Sequence, residues 1–109
     1  MKIGDNASMP MKRPRVEIEY CTQCHWLLRA AWLAQELLST FSEKIGEVAL
    51  IPGQGGIFEI RVDQHILWSR REEGRFPEAK EIKQRLRDRI APKKHLGHSD
   101  SPSSLESFE

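Results

Sequence analysis

Val16-Glu-Ile-Glu-Tyr-Cys-Thr-Gln-Cys24 decides the fold of this chain. Val16, Ile18 and Tyr20 alternate with Glu17 and Glu19, the period of two of a β-strand with one dry and one wet face. Cys21 and Cys24 follow directly, and then Leu27, Ala30, Ala31, Ala34, Leu37, Leu38 and Phe41 recur at helical spacing. Ala, Leu, Gln and Glu dominate that segment and are strong helix formers, and Gly46 offers a C-cap after a frayed stretch from Glu43. The strand therefore runs into a cysteine pair that opens a helix.

Outward from this stretch the pattern continues. Val48 to Ile51, stopped by Pro52-Gly53, predicts a buried strand. Phe58, Ile60 and Val62 alternate with Glu59, Arg61 and Asp63, giving a third strand. After Asp63-Gln64, residues His65 to Ser69 form a fourth, with Ile66 and Trp68 expected on one face of a hairpin. Pro77 suits the first turn of a last helix, whose stripe is Ala79, Ile82, Leu86 and Ile90 before Pro92 stops it. The order is β-α-β-β-β-α. A strand–helix–strand unit is right-handed, so the first two strands should be parallel, with the hairpin extending the same sheet. Glu17, Glu19, Glu59, Arg61 and Asp63 all fall on alternate strand positions, so both helices should cover the opposite face. The expected fold is an α/β two-layer sandwich, both helices on one face of a four-stranded mixed sheet.

At 109 residues the chain holds one small domain. Residues 1–14 read as a loose leader, 15–91 as the domain, and 92–109, with five serines, as a flexible tail; Leu105 and Phe108 are its anchors if it docks. Lys and Arg number 17 against 16 Asp and Glu, a balance that argues against a dedicated polyanion binder. The cations from Lys80 to Lys94 read as a solvated helix face, with no aromatic series to stack bases, so no nucleic-acid partner is expected. Trp26 to Phe41 is too short and too polar for a membrane span, and the first ten residues lack a signal-peptide core, so a cytoplasmic protein without a membrane partner is expected.

The two cysteines carry the chemistry. A thiolate where a strand ends and a helix begins gains from unpaired N–H groups and the positive end of the helix dipole, which lower its pKa. Two intervening residues let the sulfurs close a reversible disulfide, so one thiolate can attack and the other resolve. Because parallel strands end at the same edge, the loop Pro52-Gly53-Gln54-Gly55-Gly56 should border the pair. Gly53, Gly55 and Gly56 would there admit a substrate backbone, and Trp26 would offer a platform. The bland alternatives are a plain crossover loop and a packing tryptophan. A CxxC after a strand and at a helix start reads as thioredoxin-like.

Val16 to Cys24, the Trp-Leu-Leu helix start, Gly55-Gly-Ile-Phe-Glu-Ile-Arg-Val62 and Phe76-Pro77-Glu78 together resemble the selenoprotein W-like family, the SelT/SelW/SelH or Rdx group, in a bacterial cysteine-containing form. The resemblance spans about residues 15–91 and implies a thioredoxin-like fold. It implies that Cys24 matches the selenocysteine position and attacks, with Cys21 resolving; the thioredoxin analogy reverses these roles. No proline directly precedes the Phe58 strand, where thioredoxins hold a cis-proline; Gly55 and Gly56 occupy that region.

The expected function is thiol–disulfide oxidoreduction in cell redox homeostasis or antioxidant defence, without a cofactor. Expected partners are thiol-containing proteins or the glutathione/thioredoxin system, with a homodimer as a further candidate. Two alternatives involve no redox turnover. One is an interaction module using the wet sheet face or the hairpin edge. The other is a zinc site of Cys21, Cys24 and two of His25, His65, His95 and His98, disfavoured because the last two lie about 70 residues away, so no metal is expected.

Overall fold

The computed structural model describes residues 12–100. Its elements are β1 (Arg15–Cys21), α1 (Leu27–Thr40), β2 (Glu47–Gly53), β3 (Phe58–Val62), β4 (His65–Ser69), a single-turn helix α2 (Arg70–Glu73), α3 (Ala79–Ile90) and a 3₁₀ turn (Gly97–Asp100). The sheet order is β2-β1-β3-β4. β1 pairs with β2 in parallel, Val16 opposite Val48 and Cys21 opposite Gly53, and with β3 in antiparallel, Ile18 opposite Ile60. The mixed four-stranded sheet with its long helices on one side is the α/β sandwich that the periodicity predicts.

The core forms where inward strand positions meet the helix stripes. Val16, Ile18, Phe58, Ile60, Val62 and Trp68 pack against Ala30, Leu33, Leu37 and Phe41 of the α1 side and Ile82 and Leu86 of α3. The Lys83 ammonium reaches Glu36 at 2.9 Å and ties the two long helices together. Outward positions form a charged row on the open face. Arg61 bonds Glu17, Glu19 and Glu59 at 2.9, 3.2 and 2.5 Å, and Arg15 bridges Glu17 and Glu47.

Several local expectations need correction. β2 is an edge strand, so its side chains are half-buried or exposed rather than buried. A register shift against Ile60/Arg61 aligns Trp68 with Ile60 but Ile66 with Arg61. This bulge turns Leu67 and Trp68 both inward and leaves Ile66 48% exposed, so Ile66 and Trp68 do not share a face. Pro77 lies before the N-cap Glu78 rather than in the first helical turn. Gly46 is not the C-cap of α1, which is Phe41. A Cβ on Gly46 would stand 2.4 Å from the Lys12 carbonyl carbon, so a close backbone crossing requires glycine there.

The segment read as a flexible tail from residue 92 carries contacts as far as Asp100. Leu96 packs on the core, and Arg87 donates to the Lys94 carbonyl at 3.0 Å and to Asp100 at 2.6 Å. Leu105, Phe108 and the leader up to Met11 lie outside the described residues.

Candidate functional site

β1 delivers Cys21 to the edge where β2 also ends, as parallel pairing requires. The Cys21 N–H donates to the Ile57 carbonyl at 2.9 Å. The Thr22 N–H and hydroxyl both donate to the Gly53 carbonyl, at 3.0 and 3.2 Å. The cysteine turn is thereby stapled to the ends of both neighbouring strands. Cys21 and Cys24 are joined by a disulfide, their Cα atoms 5.3 Å apart. Cys21 is 1% exposed, whereas Cys24 is half-buried and faces solvent in part.

The pair does not open the helix itself. Residues Thr22 to His25 form a turn closed by the His25 N–H to the Thr22 carbonyl at 3.1 Å, and α1 starts at Leu27 with Trp26 as N-cap. His25 takes a positive φ of 61°, an unfavourable conformation for a residue with a Cβ, and this redirects the chain into the helix. Cys24 thus stands two residues ahead of the cap, so the helix terminus acts on it from outside the first turn.

Trp26 is half-buried and packs edge-on against Phe76 and Phe58, with ring centroids 4.8 and 6.4 Å away. Arg70 lies over its indole at 4.9 Å, and Arg29 over Phe76 at 4.0 Å. Aromatic edges and cations therefore lock the residue that caps α1. The packing of Phe76 and Arg70 on Trp26 is not legible in the sequence, where Phe76 stands only within the Phe76-Pro77-Glu78 motif, because both approach from outside the strand–helix unit. The same holds for Ile57, which contributes a backbone carbonyl that no side-chain pattern reports.

The glycines divide into two kinds. Gly53 sits beside Cys21 in register. A Cβ on it would lie 2.7 Å from Ile57 Cγ2 and 2.8 Å from Glu19 Oε2, so close packing requires its small size. Gly55 and Gly56 take φ of 70° and 75°, with nothing within 4 Å of a Cβ, so their requirement is conformational. They turn the chain so that Ile57 enters β3 beside Cys21. A hollow of about 140 Å³ lies next to this turn, lined by Gly56, Ile57, Phe58, Glu59, Ser69 and Arg71.

Among the described residues no three His, Cys, Asp or Glu side chains converge to hold a metal ion, and no helix is long and apolar enough to cross a membrane. The arrangement is a bonded cysteine pair, one buried and one half-buried, able to cycle between dithiol and disulfide.

Comparison with known proteins agrees with this geometry. The Rdx family model matches residues 15–88. A crystal structure of a Bordetella parapertussis protein shares 62% identity and a TM-score of 0.69, covering 70% of this chain and 96% of that one. A crystal structure of a selenoprotein W-related protein from Vibrio cholerae shares 59% identity and a TM-score of 0.69, covering 70% and 95%. No curated protein matches the chain.

Proposed function

Because the chain belongs to the Rdx family, we propose that it is a thiol–disulfide oxidoreductase in which Cys24 attacks and Cys21 resolves. The observation that carries this reading is the unequal exposure of two bonded cysteines: Cys21 is 1% exposed and anchored through Ile57, while Cys24 is only half-buried. An incoming disulfide reaches Cys24 first, and the resolving sulfur waits within bonding reach behind it. The family's thioredoxin-like, redox-associated character supports the exchange chemistry, and the match of Cys24 to the selenocysteine position supports its attacking role.

In the reducing direction the Cys24 thiolate attacks one sulfur of a partner disulfide. A mixed disulfide forms, and the other partner sulfur departs as a thiolate with the bonding electron pair. The Cys21 thiolate then attacks Cys24 Sγ, closes the intramolecular disulfide and releases the second partner thiolate. Two electrons pass to the partner, whose thiolates take up protons from solvent. A dithiol protein or two glutathione molecules reverse the sequence and restore the pair. The setting is the cytoplasm, in redox homeostasis or antioxidant defence.

The test is covalent trapping. Cys21→Ser keeps the attacker and loses the resolver, so it should accumulate mixed disulfides with protein partners, whereas Cys24→Ser should accumulate few. Equal trapping by both variants would remove the role assignment. No trapping by either would remove the function.

A further inference from the structure

The first helix carries an apolar ridge that the core does not use. Leu28 is 82% exposed, Trp32 53% and Leu27 47%. Leu28 and Trp32 are four residues apart and share one stripe of α1, with Leu27 beside them in the first turn. The core-facing stripe is a different one, formed by Ala30, Leu33, Ala34 and Leu37. A single exposed leucine is ordinary, but a cluster of large apolar side chains on one face marks a contact surface. Arg29, between Leu28 and Trp32 in sequence, is drawn over the Phe76 ring at 4.0 Å, and the ridge begins three residues after Cys24, within about 11 Å along the chain.

We propose that the ridge is the docking surface for a protein disulfide: a partner segment that presents apolar side chains next to its reactive sulfur. The inference rests on the exchange chemistry proposed above and names its substrate class. The covalent step fixes the occupant. A mixed disulfide holds the partner sulfur about 2 Å from Cys24 Sγ, so the flanking partner residues must lie across whatever borders Cys24. On the helix side the exposed apolar side chains nearest in the chain are Leu27 and Leu28 at the start of α1, followed one turn on by Trp32. On the loop side the hollow of about 140 Å³ next to the Gly55-Gly56 turn is lined by neither cysteine. A small disulfide that reaches the half-buried Cys24 gains no contact with the ridge or that hollow. A protein segment covers the ridge and buries an exposed tryptophan, the kind of residue that dominates binding energy at interfaces.

The experiment compares two oxidants of the fully reduced chain, insulin as a protein disulfide and cystine as a small one, following thiol loss at Cys21 and Cys24 by mass spectrometry. Leu28→Gln/Trp32→Gln should lower the insulin-to-cystine ratio of rate constants about tenfold. Leu28→Met/Trp32→Phe, which keeps the surface apolar, should hold the ratio near that of the unaltered chain. An unchanged ratio in the Gln variant overturns the docking surface. So does a concentration-dependent dimer that the Gln variant abolishes in sedimentation, because the ridge would then be filled by a second copy. If the unaltered chain reduces cystine but not insulin, the docking proposal alone fails. If it reduces neither, the exchange reading fails first.

Discussion

Gly53 lies directly beneath Ile57: a Cβ on the glycine would stand 2.7 Å from Ile57 Cγ2. The same Ile57 accepts the Cys21 N–H at 2.9 Å, so displacing its side chain pulls on the cysteine turn. Gly53→Ala should therefore destabilise the fold by about 1–3 kcal/mol, the usual cost of overpacking, measured by urea unfolding. A cost below about 0.5 kcal/mol would show that Ile57 yields freely.

Arg61 supports the open face by binding three carboxylates at once, Glu17, Glu19 and Glu59. Its guanidinium, aided by Arg15 and opposed by partial burial, holds the Glu17 carboxyl below the usual carboxylate range. A lowered folded-state pKa contributes stability above the ordinary carboxylate range, and that contribution is lost as pH falls through the lowered value. Arg61→Gln should cost roughly 1–2 kcal/mol at neutral pH, less than for a deeply buried pair because all four groups are partly solvated. The cost should shrink in acid, and NMR titration should show Glu17 moving up towards its ordinary value.

The sequence displays the architecture because the patterns it needs are local. Val16, Ile18 and Tyr20, and then Phe58, Ile60 and Val62, fix which strand face meets the helices, and the strand–helix–strand order fixes parallel pairing. What it hides depends on contacts between distant segments. The bulge at Leu67 reflects packing of Leu67 and Trp68 against the helices, and alternation alone assigns Ile66 to the wrong face. Cys21 and Cys24 are legible as a pair. Their unequal exposure is not, because it follows from Ile57 and Gly53 meeting at the end of β1. The roles of the glycines are likewise invisible as letters: Gly46 and Gly53 are required for space, Gly55 and Gly56 for backbone conformation.

The hairpin turn offers a stabilising change. Asp63 and Gln64 both have positive φ, 46° and 71°, the geometry that a two-residue hairpin loop requires and that residues with a Cβ adopt at a cost. Asp63 also accepts the Arg15 N–H at 2.9 Å and pairs with Arg13 at 3.0 Å, so it should be kept. Gln64→Gly should raise stability by about 0.5–1 kcal/mol, the relief of left-handed strain being partly offset by the freer unfolded chain. Thermal unfolding would register it, and a lower melting temperature would refute the strain argument.

Arg75 grips Glu81 with two parallel bonds, at 2.9 and 2.6 Å, while the Glu78 N–H at the helix start donates to the same carboxylate at 2.8 Å. The guanidinium, opposed by partial burial and aided by the Glu78 N–H, brings the Glu81 pKa from 4.5 down to about 2. The sign is that of a depressed carboxylate: its contribution is present above about 4.5 and is lost as pH falls towards about 2. Arg75→Gln should return Glu81 towards its ordinary titration and flatten the acid dependence of stability across that window. A Glu81 titration unmoved by the substitution would show that the pair does not persist in solution.

The exposure difference between the two sulfurs predicts a difference in alkylation. Iodoacetamide reacts with an accessible thiolate, so the rate depends on both ionisation and access. Cys24 stands in a solvent-facing turn ahead of the α1 terminus, whereas Cys21 closes the end of a central strand and is 1% exposed. In single-cysteine variants, Cys24 of Cys21→Ser should be alkylated at least about tenfold faster than Cys21 of Cys24→Ser at pH 7, a gap that access alone can supply. Raising the pH to 9 should narrow the gap only in so far as ionisation contributes to it, which separates the two causes. Equal rates at both pH values would mean that Cys21 becomes accessible once the disulfide opens, and the attacking role would then no longer follow from burial.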